Sequence, residues 1–246
     1  MKAMILAAGL GTRLRPLTDD RPKALVTVAG RTLLDITLTR LRTFGVSDVI
    51  VNTHHYADMM RAYLEANHNF GMHIEISQED ILLDTGGGLR HAAHFFADSD
   101  APFILHNVDV LSTIDLARML RFHVEQDALA TLAVQDRRTS RYLLFNEEGR
   151  LCGRRAGLDR ESEIVSPARS VIRLAFSGIH VISPRLFGKM IENGVFSIIP
   201  AYLRMAALGN KIIAFRADEY YWRDLGRPEN IRDAALDIAD GVYPGL

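Results

Sequence analysis

The chain carries 29 basic and 30 acidic side chains in 246 residues, a net charge of −1, 48% apolar residues and a single cysteine. A chain of this length buries a sizeable core, and its charge balance excludes the electrostatic footprint of generic nucleic-acid binding, as well as disorder, collagen or coiled coil over the whole length. Cys152 has no partner for an intrachain disulfide and no companions for a cysteine-rich metal site.

Residues 3–8 form a short apolar run stopped by Gly9, the pattern of a buried strand. Lys2 ahead of it gives the outline of a secretory leader, but the run is short and residues 9–15 follow with two arginines. No stretch approaches the ~18 apolar residues of a membrane span. No membrane partner is expected, and a reducing cytoplasm is the expected home. Residues 33–44 predict an amphipathic helix closed by Gly45, with Leu34, Leu38 and Leu41 on one face. Strands follow at 48–52 and 73–77 around a helix at 57–66. A helix over 88–96 follows a glycine cluster, then a strand at 103–107 and a helix at 115–126 capped by Ser112 or Thr113. Such alternation predicts an α/β fold: a three-layer αβα, Rossmann-like arrangement around a mostly parallel, partly mixed sheet.

Beyond residue 110 the strands shorten, at 130–134, 142–146 and 151–153, with Glu147-Glu148-Gly149 as a hairpin turn. Residues 154–173 are charged and aperiodic and predict a surface loop. A strand at 175–182, helices near 185–191 and 197–208, and short strands at 211–215 and 221–223 complete the body. Pro228 opens a last helix that runs to residue 239. No repeat or linker interrupts the chain, so residue 110 marks a seam within one domain spanning 1–246.

Gly9-Leu10-Gly11 after a buried strand allows a tight turn whose N–H groups can line a phosphate-binding concavity. The dinucleotide fingerprint fails at Leu14 and Pro16, and the Gly-Lys-Ser/Thr of a P-loop is absent. A Gly-x-Gly is also an ordinary turn. Arg13, Arg15 and Lys23 within the same loop direct the reading to a polyphosphate.

The opening Leu6-Ala7-Ala8-Gly9-Leu10-Gly11-Thr12-Arg13-Leu14-Arg15-Pro16-Leu17-Thr18, followed by Arg21-Pro22-Lys23-Ala24-Leu25, resembles the signature of the sugar-1-phosphate nucleotidylyltransferases. Three later segments continue the resemblance in the family's order: Asp84-Thr85-Gly86-Gly87-Gly88-Leu89, Phe176-Ser177-Gly178-Ile179, and Trp222-Arg223-Asp224-Leu225-Gly226-Arg227-Pro228-Glu229. Between the first two of these, Asn107-Val108-Asp109 stands where the family usually has Asn-Gly-Asp.

This resemblance implies attack by a sugar-1-phosphate oxygen on the α-phosphorus of an NTP, with release of pyrophosphate. It makes residues up to about 110 a nucleotide-binding half and the rest a sugar-binding half. Arg13 and Lys23 are the implied catalytic cations. Ala8, Gly9, Gly11, Thr12, Glu79, Thr85, Gly86 and Gly87 are the implied nucleotide contacts, and Asn107, Ser177 and Gly178 those of the sugar. Asp109 and Asp224, each of which alone could be a turn or cap residue, are implied to meet on Mg²⁺. The nucleophile is already an anion, so charge neutralisation and positioning carry the chemistry and no general base is required.

The Thr-Gly-Gly-Gly run most resembles the N-acetylmuramate-1-phosphate uridylyltransferases and favours UTP. A mannose- or heptose-1-phosphate guanylyltransferase is the alternative, and a non-catalytic sugar-nucleotide binder a further one. Val108 places a branched side chain where backbone otherwise approaches the sugar closely. The family's Glu-Lys-Pro segment is absent, leaving Ser140-Arg141-Tyr142 and the stretch after Cys152 to take its place. His54-His55 and the His91, His94 pair read as polar surface rather than metal ligands.

Overall fold

Ala3 and Ile5 pack into one apolar cluster and Met4 into another. This period-two alternation belongs to a strand covered on both faces, and it sets the layering of the molecule. The computed structural model describes residues 1–157 and 161–243. Its elements in chain order are β1 (Lys2–Leu6), β2 (Thr27–Val28), β3 (Arg31–Thr32), α1 (Leu33–Thr43), β4 (Asp48–Thr53), α2 (Ala57–Ala66), β5 (His73–Gln78), α3 (Asp84–His91), β6 (Phe103–Asn107), β7 (Val110–Ser112), α4 (Leu116–Glu125), β8 (Ala130–Gln135), β9 (Arg141–Phe145), β10 (Leu151–Ala156), β11 (Glu163–Ile164), β12 (Ile172–Ile182), α5 (Ile198–Ala207), β13 (Ile212–Arg216), β14 (Trp222–Asp224) and α6 (Pro228–Ala239).

Ten strands form one sheet with the path β11-β10-β9-β12-β6-β1-β4-β5, while β8 pairs with both β12 and β13. The β6-β1-β4-β5 segment is parallel. β12 runs antiparallel to β6, β8 and β9. Helices α1, α2, α4 and α6 cover the face reached by Ala3 and Ile5, and α3 and α5 the face reached by Met4. The expected three-layer arrangement with a partly mixed sheet is therefore the observed one. No helix among the described residues is long and apolar enough to cross a membrane.

Several local expectations are corrected. Helix α3 begins at Asp84 rather than residue 88, so it runs through Gly86, Gly87 and Gly88. The cap of α4 is Asp115, whose side chain accepts from Arg118 N at 2.9 Å. The helix expected near 185–191 is a 3₁₀ segment, Pro184–Lys189. Within the expected 154–173 loop, β10 continues to Ala156, β11 forms and β12 begins at Ile172. Residues 158–160 of that loop lie outside the described residues. The β2–β3 hairpin and β7 had no separate sequence signal, while the short strand expected at 221–223 is β14, paired with β7.

Candidate active site

Two clefts open along the carboxyl edge of the parallel strands, where open α/β sheets hold ligands. The smaller, about 360 Å³, is lined by Ala8, Gly9, Lys23, Glu79, Thr85 and Val108 among others. The larger, about 840 Å³, is lined by Arg13, Arg137, Gly178, Trp222, Asp224 and Arg227 among others. Asn107 and Asp109 belong to both linings. The clefts thus meet at the end of β6.

The smaller cleft rests on a buried polar brace. Asn52 Oδ1 accepts from Ala7 N at 2.6 Å and Ala8 N at 3.3 Å, and Asn52 Nδ2 donates to Glu79 Oε1 at 2.7 Å. Glu79 Oε2 accepts from Leu83 N at 2.9 Å. Both carboxylate oxygens of Glu79 therefore already hold protein donors. Gly88 packs on this brace, where a Cβ would lie 2.7 Å from Glu79 Oε1 and 2.8 Å from Asn52 Nδ2.

Gly86 and Gly87 sit apart from the expected base contacts. Their amides donate to Phe196 O at 2.9 and 3.1 Å, and they do not line the small cleft. A Cβ on Gly86 would enter the Phe196 ring, and one on Gly87 the carbonyl of Gly194. Val108 lines the smaller cleft, not the larger one, and is 3% exposed within the core, so its branch does not face the larger cleft.

The phosphate loop is shaped by Gly11, which adopts φ +64. A Cβ there would meet Thr18 Cγ2 at 2.9 Å, and Thr18 Oγ1 donates to Gly11 O at 2.9 Å. Neither Gly11 nor the exposed Thr12 lines a cleft. Lys23 forms an ion pair with Asp109 Oδ2, with side-chain exposures of 12% and 15%. Arg13 reaches the larger cleft beside Asp224: a Cβ on Gly226 would lie 2.7 Å from Asp224 Oδ1 and 2.9 Å from Arg13 Nη2. Gly226 leaves room for these two groups in their observed positions, and any side chain there would displace one of them.

The β7–β14 ribbon answers how carboxylates 115 residues apart come together. Asp224 lies opposite Val110, the neighbour of Asp109, and Leu225 N donates to Asp109 O at 2.7 Å. Two carboxylates of hard oxygen donors then border one cleft, with Asp224 Oδ1 held by Gly226 N at 2.6 Å. This donor set fits Mg²⁺ completed by substrate phosphate oxygens and water. No cluster of three or more His, Cys, Asp or Glu suited to a metal occurs among the described residues. His94 Nε2 lies 2.7 Å from Glu75, and His54 Nδ1 lies 2.8 Å from Glu79 O.

In the larger cleft, Gly178 takes φ +76 where β12 loses register against β8. A Cβ at this bulge would strike Val110 Cγ2 at 2.8 Å and Asn107 Nδ2 at 2.9 Å. Ser177 lies behind the wall, fully buried, and its carbonyl accepts from Trp222 Nε1 at 2.7 Å. Arg137 lies over the Trp222 ring at 3.6 Å and donates to Phe176 O at 2.7 Å. Burial pulls its guanidinium below the ordinary arginine range, and the charge of Asp224 opposes that shift. Arg137, Arg154, Arg155 and Arg227 line this cleft. Arg154 and Arg155 belong to the stretch after Cys152 expected to stand in for the Glu-Lys-Pro segment, and Arg227 to the closing motif, whereas Arg137 was given no role from sequence. His106, one residue before Asn107, is driven by burial to about 4. It is a buried neutral residue, with Nδ1 at 2.8 Å from Asn107 O.

A family profile described as nucleotidyl transferase matches residues 2–150. An N-acetylmuramate alpha-1-phosphate uridylyltransferase of Caulobacter vibrioides is 35% identical over 97% of each chain. A mannose-1-phosphate guanylyltransferase of Mycobacterium tuberculosis is 31% identical over 98% of this chain, which spans 66% of that longer protein. Among solved structures, a UDP-glucose pyrophosphorylase complexed with UDP-glucose superposes with a TM-score of 0.79 at 19% identity, covering 97% of this chain and 98% of that one. With its sequence signature, fold and paired clefts in accord, the chain belongs to the nucleotidyl transferase family, in its sugar-1-phosphate branch.

Proposed function

We propose that this protein transfers the uridylyl group of UTP to N-acetylmuramate-1-phosphate, giving the UDP-sugar and pyrophosphate, in the cytoplasm. The observation that carries this reading is the pair of clefts meeting at Asn107 and Asp109. The smaller takes the nucleotide and the larger the acceptor, so the two phosphates meet at the seam. The choice of UTP and of this sugar is supported by the similarity to the Caulobacter uridylyltransferase, which extends over nearly the whole of both chains.

An acceptor phosphate oxygen attacks the α-phosphorus while the bond to the bridging oxygen of the β-phosphate breaks, and pyrophosphate leaves with both electrons of that bond. Lys23 lies at the seam and neutralises the anions brought together there. Arg13 balances the charge that builds on pyrophosphate. Gly9, at the rim of the smaller cleft, meets the NTP phosphates, with the turn shaped by Gly11 and Thr12 beside it; Ala8, Thr85 and the Asn52–Glu79 brace shape the base slot; Asn107 and the Gly178 bulge border the sugar. Asp109 and Asp224 would hold Mg²⁺, which would supply Lewis-acid charge stabilisation.

The test is a matrix of UTP, GTP, CTP, ATP and dTTP against several sugar-1-phosphates, scored by pyrophosphate. UTP is expected to exceed GTP by at least about tenfold in kcat/KM, equivalent to ~1.4 kcal/mol of transition-state binding. A preference for GTP with mannose-1-phosphate would replace both substrates and leave the reaction class intact. Pyrophosphate from no pair would make the protein a binder only.

A further inference from the structure

The larger cleft carries positive charge well away from its reacting end. Arg141 on β9 and Arg154 on β10 both line it. The antiparallel register sets Ala156 opposite Arg141 and Arg154 opposite Leu143, which makes Arg141 and Arg154 diagonal neighbours on one face of the ribbon. Arg154 is already oriented: its Nε donates at 2.6 Å to Glu163 Oε2, from the residue opposite it on β11. The Arg141 side chain has no ion pair or hydrogen bond among the described residues. The carboxylates lining the cleft, Asp109 and Asp224, stand at the reacting end.

Strand spacing measures the separation. From β6, which leads into Asp109, the sheet runs through β12 to β9 and then β10. At ~4.8 Å per strand, β9 lies about 10 Å and β10 about 14 Å from β6. An acceptor whose phosphate meets Asn107 and Asp109 therefore extends its ring toward Arg141 and Arg154, and these arginines face ring substituents remote from C1. Two like charges on adjacent strands repel unless an anion lies between them.

Resting on the reading that the acceptor is a sugar-1-phosphate, we propose that Arg141 and Arg154 form a carboxylate subsite, so that the preferred acceptor bears an acidic substituent across the ring from its phosphate. A carboxylate suits the pair better than a second phosphate. Its two oxygens match the planar guanidinium fork, and Glu163 already offsets part of the local charge. These are specificity-determining residues; the bond-making groups lie elsewhere.

The experiment compares N-acetylmuramate-1-phosphate with its carboxamide, using UTP, in the native protein and in Arg141→Gln, Arg154→Gln and the double variant. The native protein is expected to favour the carboxylate by at least about tenfold in kcat/KM, mainly through KM. Each substitution shrinks that ratio, and the double variant brings it toward one. Calorimetric titration of the two acceptors gives the same comparison without turnover, and circular dichroism checks the fold of each variant. Equal use of acid and amide by the native protein overturns the proposal, as does a ratio that survives both substitutions in folded protein. If the protein instead uses GTP and mannose-1-phosphate, the substrate reading fails by itself. The subsite is then judged with mannuronate-1-phosphate against mannose-1-phosphate: preference for the acid sustains it and indifference overturns it.

Discussion

Lys23 and Asp109 neutralise one another at the seam of the two clefts with little access to solvent. Removing one leaves the other buried without its partner, which makes the two carboxylates proposed to hold Mg²⁺ unequal. Asp109→Asn and Asp224→Asn are each expected to lower kcat by on the order of 10²–10⁴. Only Asp109→Asn should also lower folding stability, by up to about 3 kcal/mol, because it strands Lys23. Steady-state kinetics paired with urea unfolding separate the two effects, and near-native turnover in either variant removes that residue from the site. Gly226 offers a second residue-scale check. In Gly226→Ala the new methyl meets both Asp224 Oδ1 and the Arg13 guanidinium. We expect at least a tenfold fall in kcat/KM, the scale of ~1.4 kcal/mol, with an almost unchanged melting temperature. An active Gly226→Ala enzyme would show that Arg13 does not need its observed position.

Helix α3 tests propensity against packing. Three successive glycines are poor helix formers, each costing up to about 1 kcal/mol against alanine. Propensity alone makes Gly87→Ala stabilising, yet its Cβ would run into the backbone carbonyl of Gly194, which cannot rotate away as a side chain end can. Overpacking of this kind costs ~1–3 kcal/mol and should win, so Gly87→Ala is expected to be net destabilising in urea melts. A stabilised variant would mean that the segment around Gly194 yields freely. The same conflict explains the misplaced start of α3: the glycines read as a loop because the reason for Gly86 and Gly87 lies in Phe196 and Gly194, over a hundred residues away. Elements with clean periodicity and a stop, such as α1 with its Leu34, Leu38 and Leu41 stripe, were legible within a residue or two. That Asp109 and Asp224 border one cleft was suggested by their motifs, and the structure brings both to its lining. The wall of the larger cleft was legible only in part: the stretch after Cys152 was expected there, but Arg137 joins it only through its packing on Trp222 and Phe176. Ser177 was recognisable as a motif member, but its burial behind Trp222 depends on tertiary packing.

At the scale of the whole molecule, three histidines are buried in neutral form. His106 and His123 are driven to about 4 and His180 to about 3, in each case chiefly by burial. The unfolded chain takes up protons near pH 6.5 while the folded one does not, so stability is full above that pH and falls as pH drops toward 4. The slope approaches about 1.4 kcal/mol per pH unit for each fully titrating histidine. Between pH 7 and 5 the carboxylates with lowered values contribute little, because their unfolded values lie below this window. Urea midpoints should therefore decline over that range, and less steeply in His123→Gln; a flat native profile would contradict neutral burial. The β7–β14 ribbon has a consequence for how the molecule is made. The proposed partner of Asp109 stands 115 residues later on β14, whereas the parallel strands β1, β4, β5 and β6 all precede Asp109. A chain interrupted between the two would therefore carry the strands that line the smaller cleft while lacking one of the two proposed acidic ligands.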